Sequence, residues 1–316
     1  MTRYERYVEA LDAIKEATKW ELTDDFRRLM AIHYAIHDTP FDASRFSDAR
    51  DTLKQKTKIF SKFRGSQNLV WLSFLDAKYE DIGTAIDEAL RLDTLLDRKH
   101  FRFSSLRPFL ANQLINVDHP EQRLDEATDL YQTFKQHHPW LTSEEDLLSA
   151  LVLVQAFDDI IDLNERIEQH YTLLKDRLPK SNELQLVSHL LTFSDSSPEE
   201  AVSRLLTWKS HLEEVEVSIR REHLPALALL SIVTEPNMDS IHAVKEIVDV
   251  EKDKQRWFNT HSVLVALQLV AADHITTGEA NDLLLHGTFA HLLAMQQAAT
   301  AATTAAVLAS TSSSTN

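Results

Sequence analysis

The sequence predicts an all-α protein built as stacked α-hairpin repeats, a TPR- or HEAT-like solenoid of about six helix pairs of ~40 residues with an N-terminal helical cap. Three observations predict it. Helix formers dominate, and the 316 residues include only 4 Gly and 8 Pro, so the glycines that β-hairpin turns need are missing. Almost wholly apolar segments of helix length recur about every 40 residues. Between them lie charged segments whose apolar residues fall on one stripe.

In chain order, the pattern first gives three helices, over Arg3 to Trp20, Asp24 to His37 and Ala43 to Phe63, with the break Asp38-Thr39-Pro40 between the second and third. These form the cap, residues 1–65. The repeat region, 66–297, follows, with apolar helices beginning near Asn68, Ser105, Glu144, Asn182, His223 and Thr260. Each is paired in this reading with the amphipathic helix after it, as in Val202, Leu205, Leu206 and Leu212, with Glu199, Arg204 and Lys209 on other sides. Starts and stops agree. Ser197-Pro198-Glu199-Glu200 supplies a cap, a first-turn proline and acids that favour the helix dipole. Pro108 and Pro225 are exceptions, lying just inside apolar segments: in a first turn the missing N–H has no intrahelical partner anyway, and further in the proline kinks the helix. Trp71, Trp208 and Trp257 sit within helical stripes and read as core. Residues 298–316 are an Ala/Thr/Ser-rich tail. The period leaves open whether the pairs form an open superhelix or a closed toroid. Segments apolar all round, such as Leu147 to Phe157, need cover on every side, which a closed arrangement supplies better.

Charge narrows the partners. With 49 acidic against 33 basic residues the net charge is −16, which repels nucleic acid and anionic lipid surfaces unless a local patch overrides it. No Cys is present, so there is no disulfide framework or thiolate metal site. The first twenty residues carry charges at short intervals and do not read as a signal peptide, and Phe289 to Ala309 is too broken by Gln and Thr for a spanning helix. A cytoplasmic protein without membrane or nucleic-acid partners is expected.

Few constellations suggest chemistry. Asp158-Asp159-Ile160-Ile161-Asp162 spells DDxxD, in which helical carboxylates hold the Mg²⁺ that clamps a prenyl diphosphate. The second metal motif of such enzymes is absent, since Asn281-Asp282 continues without the required Ser and Glu. The plain alternative is a helix start with acids on its dipole, Asp162 and Glu165 having capping-box spacing. His33 and His37 share a helical face at metal-ligand spacing, without the Glu of an H-E-x-x-H site. His137-His138 reads as a loop dipeptide. Lys54, Lys56, Lys58, Lys62 and Arg64 form a dense basic run, with Lys54, Lys58 and Lys62 on one helical stripe: a solvated face, or a dock for an acidic partner or phosphate. Four glycines cannot make a nucleotide loop or a serine-hydrolase elbow.

The stretch EATKW, the run TPFDASRF, the string TKIFSKFRG and the Ala/Thr-rich end together resemble an uncharacterised family of Gram-positive bacteria, the domain of unknown function four thousand and three. The resemblance implies a bacterial source and brings no activity, cofactor or catalytic residue. Within it, Phe41, Phe46, Phe60 and Phe63 are expected to pack in the cap. The function expected is therefore non-enzymatic: a solenoid whose exposed surface binds a protein or peptide, without cofactor. The alternative is a Mg²⁺-dependent isoprenoid-diphosphate enzyme with Asp158, Asp159 and Asp162 as metal ligands.

Overall fold

A computed structural model describes residues 1–65, 68–99, 101, 106–254 and 260–275, which hold fourteen α-helices and no strand. Seven are amphipathic: α1 (Arg3–Thr18), α3 (Ala43–Lys56), α5 (Ile82–Arg98), α7 (Pro120–His137), α9 (Ile160–Leu174), α11 (Pro198–Glu214) and α13 (Met238–Lys254). They alternate with seven that are more deeply buried: α2 (Asp24–Ile36), α4 (Asn68–Lys78), α6 (Arg107–Gln113), α8 (Asp146–Ala156), α10 (Asn182–Leu191), α12 (Leu224–Val233) and α14 (Thr260–His274), all but α2 also more apolar. The two kinds bury different shares of their surface. Every residue of α6 is buried, as are Asp146 to Val154 of α8 and Leu224 to Ser231 of α12. In α5 only the stripe Ala85, Ile86, Ala89, Leu92 and Leu96 is buried. Burial of each large apolar side chain contributes about 1.5–3 kcal/mol, so stripe and buried helix are held by the same effect at different densities. Local signals set the ends. Ser197 and Glu200 form a capping box at α11, Thr2 and Glu5 form another at α1, and Pro108 and Pro225 lie in first turns.

Each apolar helix packs on the amphipathic helix that precedes it, α7 on α8 and α13 on α14 for example, and less on the one that follows. The pairing read from the sequence is thus out of phase. Both flanking helices offer an apolar stripe, and nothing local distinguishes them.

The apolar helices also pack on one another in succession, α2 on α4, α4 on α6 and so on to α12 on α14, and α14 then packs against α2. An open TPR-like stack leaves its first and last pairs apart; here they meet. His261 Nε2 lies 3.1 Å from Asp25, Arg3 Nε donates to Asp273 at 2.7 Å, and the buried pair Arg28–Glu251, at 2.6 Å, joins α2 to α13. Tyr4 and Tyr7 extend that pair, Tyr4 donating to Glu251 and Tyr7 accepting from Arg28. The helices assigned to a cap therefore contact both α4 and α14. The tail 298–316, Trp257 and Asn281-Asp282 lie outside the described residues.

Alternation gives the molecule two ends. At the entry end, where the chain enters the apolar helices, Gln185 bonds Thr142 at 3.0 Å, Arg221 pairs with Glu183 at 3.3 Å, and Lys62 lies within electrostatic reach of Arg107 and Glu144. At the exit end, arginines of the amphipathic helices bond the last carbonyls of the apolar helices. Arg3 donates to Ile36, Arg45 to Asp76 and Tyr79, Arg123 to Val154, Arg166 to Thr192 and Ser194, and Arg204 to Ser231. These carbonyls have no partner within their own helix, and the guanidinium fork satisfies them.

Candidate functional site

The carboxylates of the DDxxD string do not converge. Asp159 is the N-cap of α9, its side chain accepting from the backbone N–H of Ile161 and Asp162, both at 3.0 Å. The cap is thus Asp159, three residues before the Asp162–Glu165 spacing suggested. Asp158 is fully exposed, 4.0 Å from Arg123, and Asp162 faces solvent. Among the described residues no group of three or more His, Asp or Glu side chains is placed to hold a metal ion.

The histidines have structural surroundings. His33 is buried, with Nδ1 3.3 Å from Ser73 Oγ, and both His33 and His37 meet the ring of Phe74 edge-on. Burial, then the nearby His37, pushes His33 down to about 3; burial, then Lys78, pushes His37 down to about 4. At neutral pH both are uncharged. His138 Nε2 lies 2.9 Å from Glu168 and its ring packs 4.1 Å from that of Tyr171, tying α7 to α9.

A buried acid that the sequence reading passed over stands at the start of α8. Asp146, 3% exposed, accepts from Ser143 N–H at 2.8 Å and lies 3.8 Å from His189, whose ring stacks on Phe134 at 4.3 Å. Burial pushes its carboxyl up to about 7, against the opposing bond from Ser143. Such a pair is the kind of perturbed acid found at active sites, and also the kind found in buried structural networks. Neither described cleft is lined by it. One of about 460 Å³ is lined by Phe157, Arg166 and the Thr192–Ser197 connection, and one of about 410 Å³ by Glu200, Arg204 and Glu235 among others. Both are open to solvent at the exit end, and their arginines are engaged with backbone carbonyls.

The entry end differs in one respect. Trp20, Phe60 and Trp140 are 99%, 98% and 95% exposed, and Ile59 is 76% exposed. Each stands in a connection into an apolar helix: Trp20 before α2, Ile59 and Phe60 before α4, Trp140 before α8. This corrects the expectation that the phenylalanines of the first 65 residues pack together. Phe46 and Phe63 are buried and Phe41 is partly so, but Phe60 is not. It also corrects the basic stripe, because α3 ends at Lys56, Thr57 turns extended, and Lys58 and Lys62 lie beyond the helix. A sequence signal existed only for Trp20, which stands between Lys19 and Glu21; Ile59 and Phe60 adjoin each other, with Phe63 three residues on, and Trp140 lies between Pro139 and Leu141.

No helix among the described residues is long and apolar enough to cross a membrane. Comparison with known families matches a protein of unknown function, DUF4003, over residues 10–298. The chain belongs to this family. It is similar to an uncharacterised protein, YeaA, of Bacillus subtilis (strain 168), with 25% identity over 318 residues that span 98% of this chain and 94% of the relative. No solved structure matches this DUF4003 member.

Proposed function

We propose that this DUF4003 protein is a non-enzymatic cytoplasmic interaction protein, a closed ring of α-hairpins that docks another macromolecule through its entry end. The observation that carries the reading is the exposure of Trp20, Phe60 and Trp140 on connections at one end. Large aromatics left in water on an otherwise charged surface are what a docking surface retains, because they supply contact area with few rotors to immobilise. A repeat scaffold whose side chains are engaged in packing and helix capping suits presentation better than turnover. From its acidity alone, a protein or peptide is the partner first considered. The Mg²⁺-dependent isoprenoid-diphosphate alternative is not carried forward, since Asp159 is engaged as a helix cap and no observation favours that chemistry.

Site-directed photo-crosslinking tests the reading. A photoreactive residue at position 60 or 140 is expected to capture a macromolecule in cells, and one at exposed Glu199, at the exit end, is not. Equal labelling at all three, or none at any, would sink the proposal.

A further inference from the structure

We propose that the entry end rests on an anionic lipid surface, with Ile59 and Phe60 entering the boundary between headgroups and acyl chains. The inference builds on the docking reading and names the partner.

The connection from α3 to α4 is built to present these two side chains. Thr57 leaves the helix in an extended conformation, and the Arg64 guanidinium bonds back to the carbonyls of Lys54 and Thr57. Ser61 caps the short turn Lys62–Arg64, and Phe63 packs edge-on against buried Trp71 at 4.9 Å. The connection is thus fastened on both sides of its apolar pair. Phe63 goes inward, and Ile59 and Phe60, four and three residues earlier, are left in water.

Their surroundings select the partner. The residues flanking the pair are Lys54, Lys56, Lys58 and Arg64, with Asp51 and Asp87 pairing Lys54 and Lys56 and leaving a surplus of positive charge. An apolar pair flanked in the chain by long cations fits a bilayer interface, where apolar side chains enter the acyl boundary and ammonium groups stay at the phosphates. A protein pocket for Phe60 would also have to accommodate Lys58 beside it. Trp20, beside Lys19, and Trp140 on the same end add interfacial aromatics. The overall charge of −16 opposes this, and Glu144 and Glu183 stand on the same end, so the local surplus beside Ile59 and Phe60 has to exceed that repulsion. Acids such as Asp158 and Glu199 stand at the exit end, across helices of more than ten residues, each such helix being about 15 Å or longer. At physiological salt the Debye length is about 8 Å, so those acids are screened from the lipid while the lysines beside it are not.

The test is co-sedimentation of the full chain with vesicles of phosphatidylcholine alone and of phosphatidylcholine containing one third phosphatidylglycerol. Binding to the mixed vesicles only, weakened by salt, is expected. Ile59→Ser with Phe60→Ser should lower the bound fraction roughly tenfold, since two inserted apolar side chains dominate such an anchor. Lys58→Glu should weaken it further. All three residues are exposed, so the melting temperature should not move, which separates lost binding from lost folding. No binding to the mixed vesicles, or binding indifferent to the double substitution, overturns the inference. If vesicles are not bound but a crosslinker at position 60 captures a protein, the docking reading stands and the lipid partner falls. If neither occurs, both fall.

Discussion

Among single residues, the acids show how one residue type takes different roles in one short stretch. Asp159 closes two backbone N–H groups at the start of α9, while its neighbour Asp158 meets only solvent and a distant arginine. Asp159→Ala should therefore cost about 1 kcal/mol and Asp158→Ala close to nothing. Chemical denaturation of both variants checks this, since a metal-holding pair would show comparable effects that depend on Mg²⁺. Asp146 makes a prediction about pH. Its carboxyl is pushed from 3.8 up to about 7 by burial, so the folded state holds a proton that the unfolded state has lost. The stability this supports is complete below about pH 4 and is lost as pH rises through 7. At ~1.4 kcal/mol per pKa unit the effect is on the order of 4 kcal/mol. Asp146→Asn should remove that decline, and thermal melts between pH 4 and 8 that run parallel to the wild type would refute the assignment. Three histidines, His33 and His170 buried and His37 half-buried, act in the opposite sense. His33, pushed down to about 3, and His37 and His170, each to about 4, stabilise the fold fully above pH 6.5 and lose that contribution as pH falls through 4. None of these burials could be read from the residue itself, because an Asp or His in a string carries no mark of the neighbours that the fold supplies.

At the level of the helix, local chemistry was mostly legible. The capping box at Ser197, the prolines in first turns and the starts of the apolar helices all follow from short-range rules, and the structure places them where those rules do. The exception is α3, expected to run to Phe63 and ending at Lys56. Continuing the helix would carry Phe63 away from Trp71, and a tertiary contact outweighs a run of residues with adequate helix propensity. The exit-end arginines were legible only in part. Arg204 looked like a solvated side chain of an amphipathic helix, and the carbonyl it meets lies on an element 27 residues away. Arg166 is the cleanest case, one nitrogen donating to two carbonyls at 3.0 and 3.1 Å. Arg166→Ala should cost roughly 1–2 kcal/mol, because both carbonyls lose their donor. Hydrogen exchange should then rise at the end of α10 before it rises elsewhere; protection unchanged there would show that the bonds contribute nothing.

For the molecule as a whole, what matters is that the series of helix contacts closes. Arg28 and Glu251 are buried together and join helices from opposite ends of the chain. Removing one partner leaves the other charge in a site built for two, a loss of about 3–5 kcal/mol. Arg28→Ala should accordingly deprotect α13 as well as α2. Deleting residues 1–37, which removes α1 and α2, should destabilise α14 if the ring is closed. In an open stack α14 would not respond, and its hydrogen exchange is the measurement that distinguishes the two. The sequence by itself determined the helical class, the alternation of buried and half-buried helices, and the position of nearly every apolar helix. Those follow from composition and from periodicity, which act over a few residues. Only the tertiary structure decided which neighbour each apolar helix pairs with, that the last meets the first, and that Trp20, Phe60 and Trp140 are left in water. Those outcomes depend on which of several equally apolar surfaces come together, a competition among distant parts of the chain that no short stretch records.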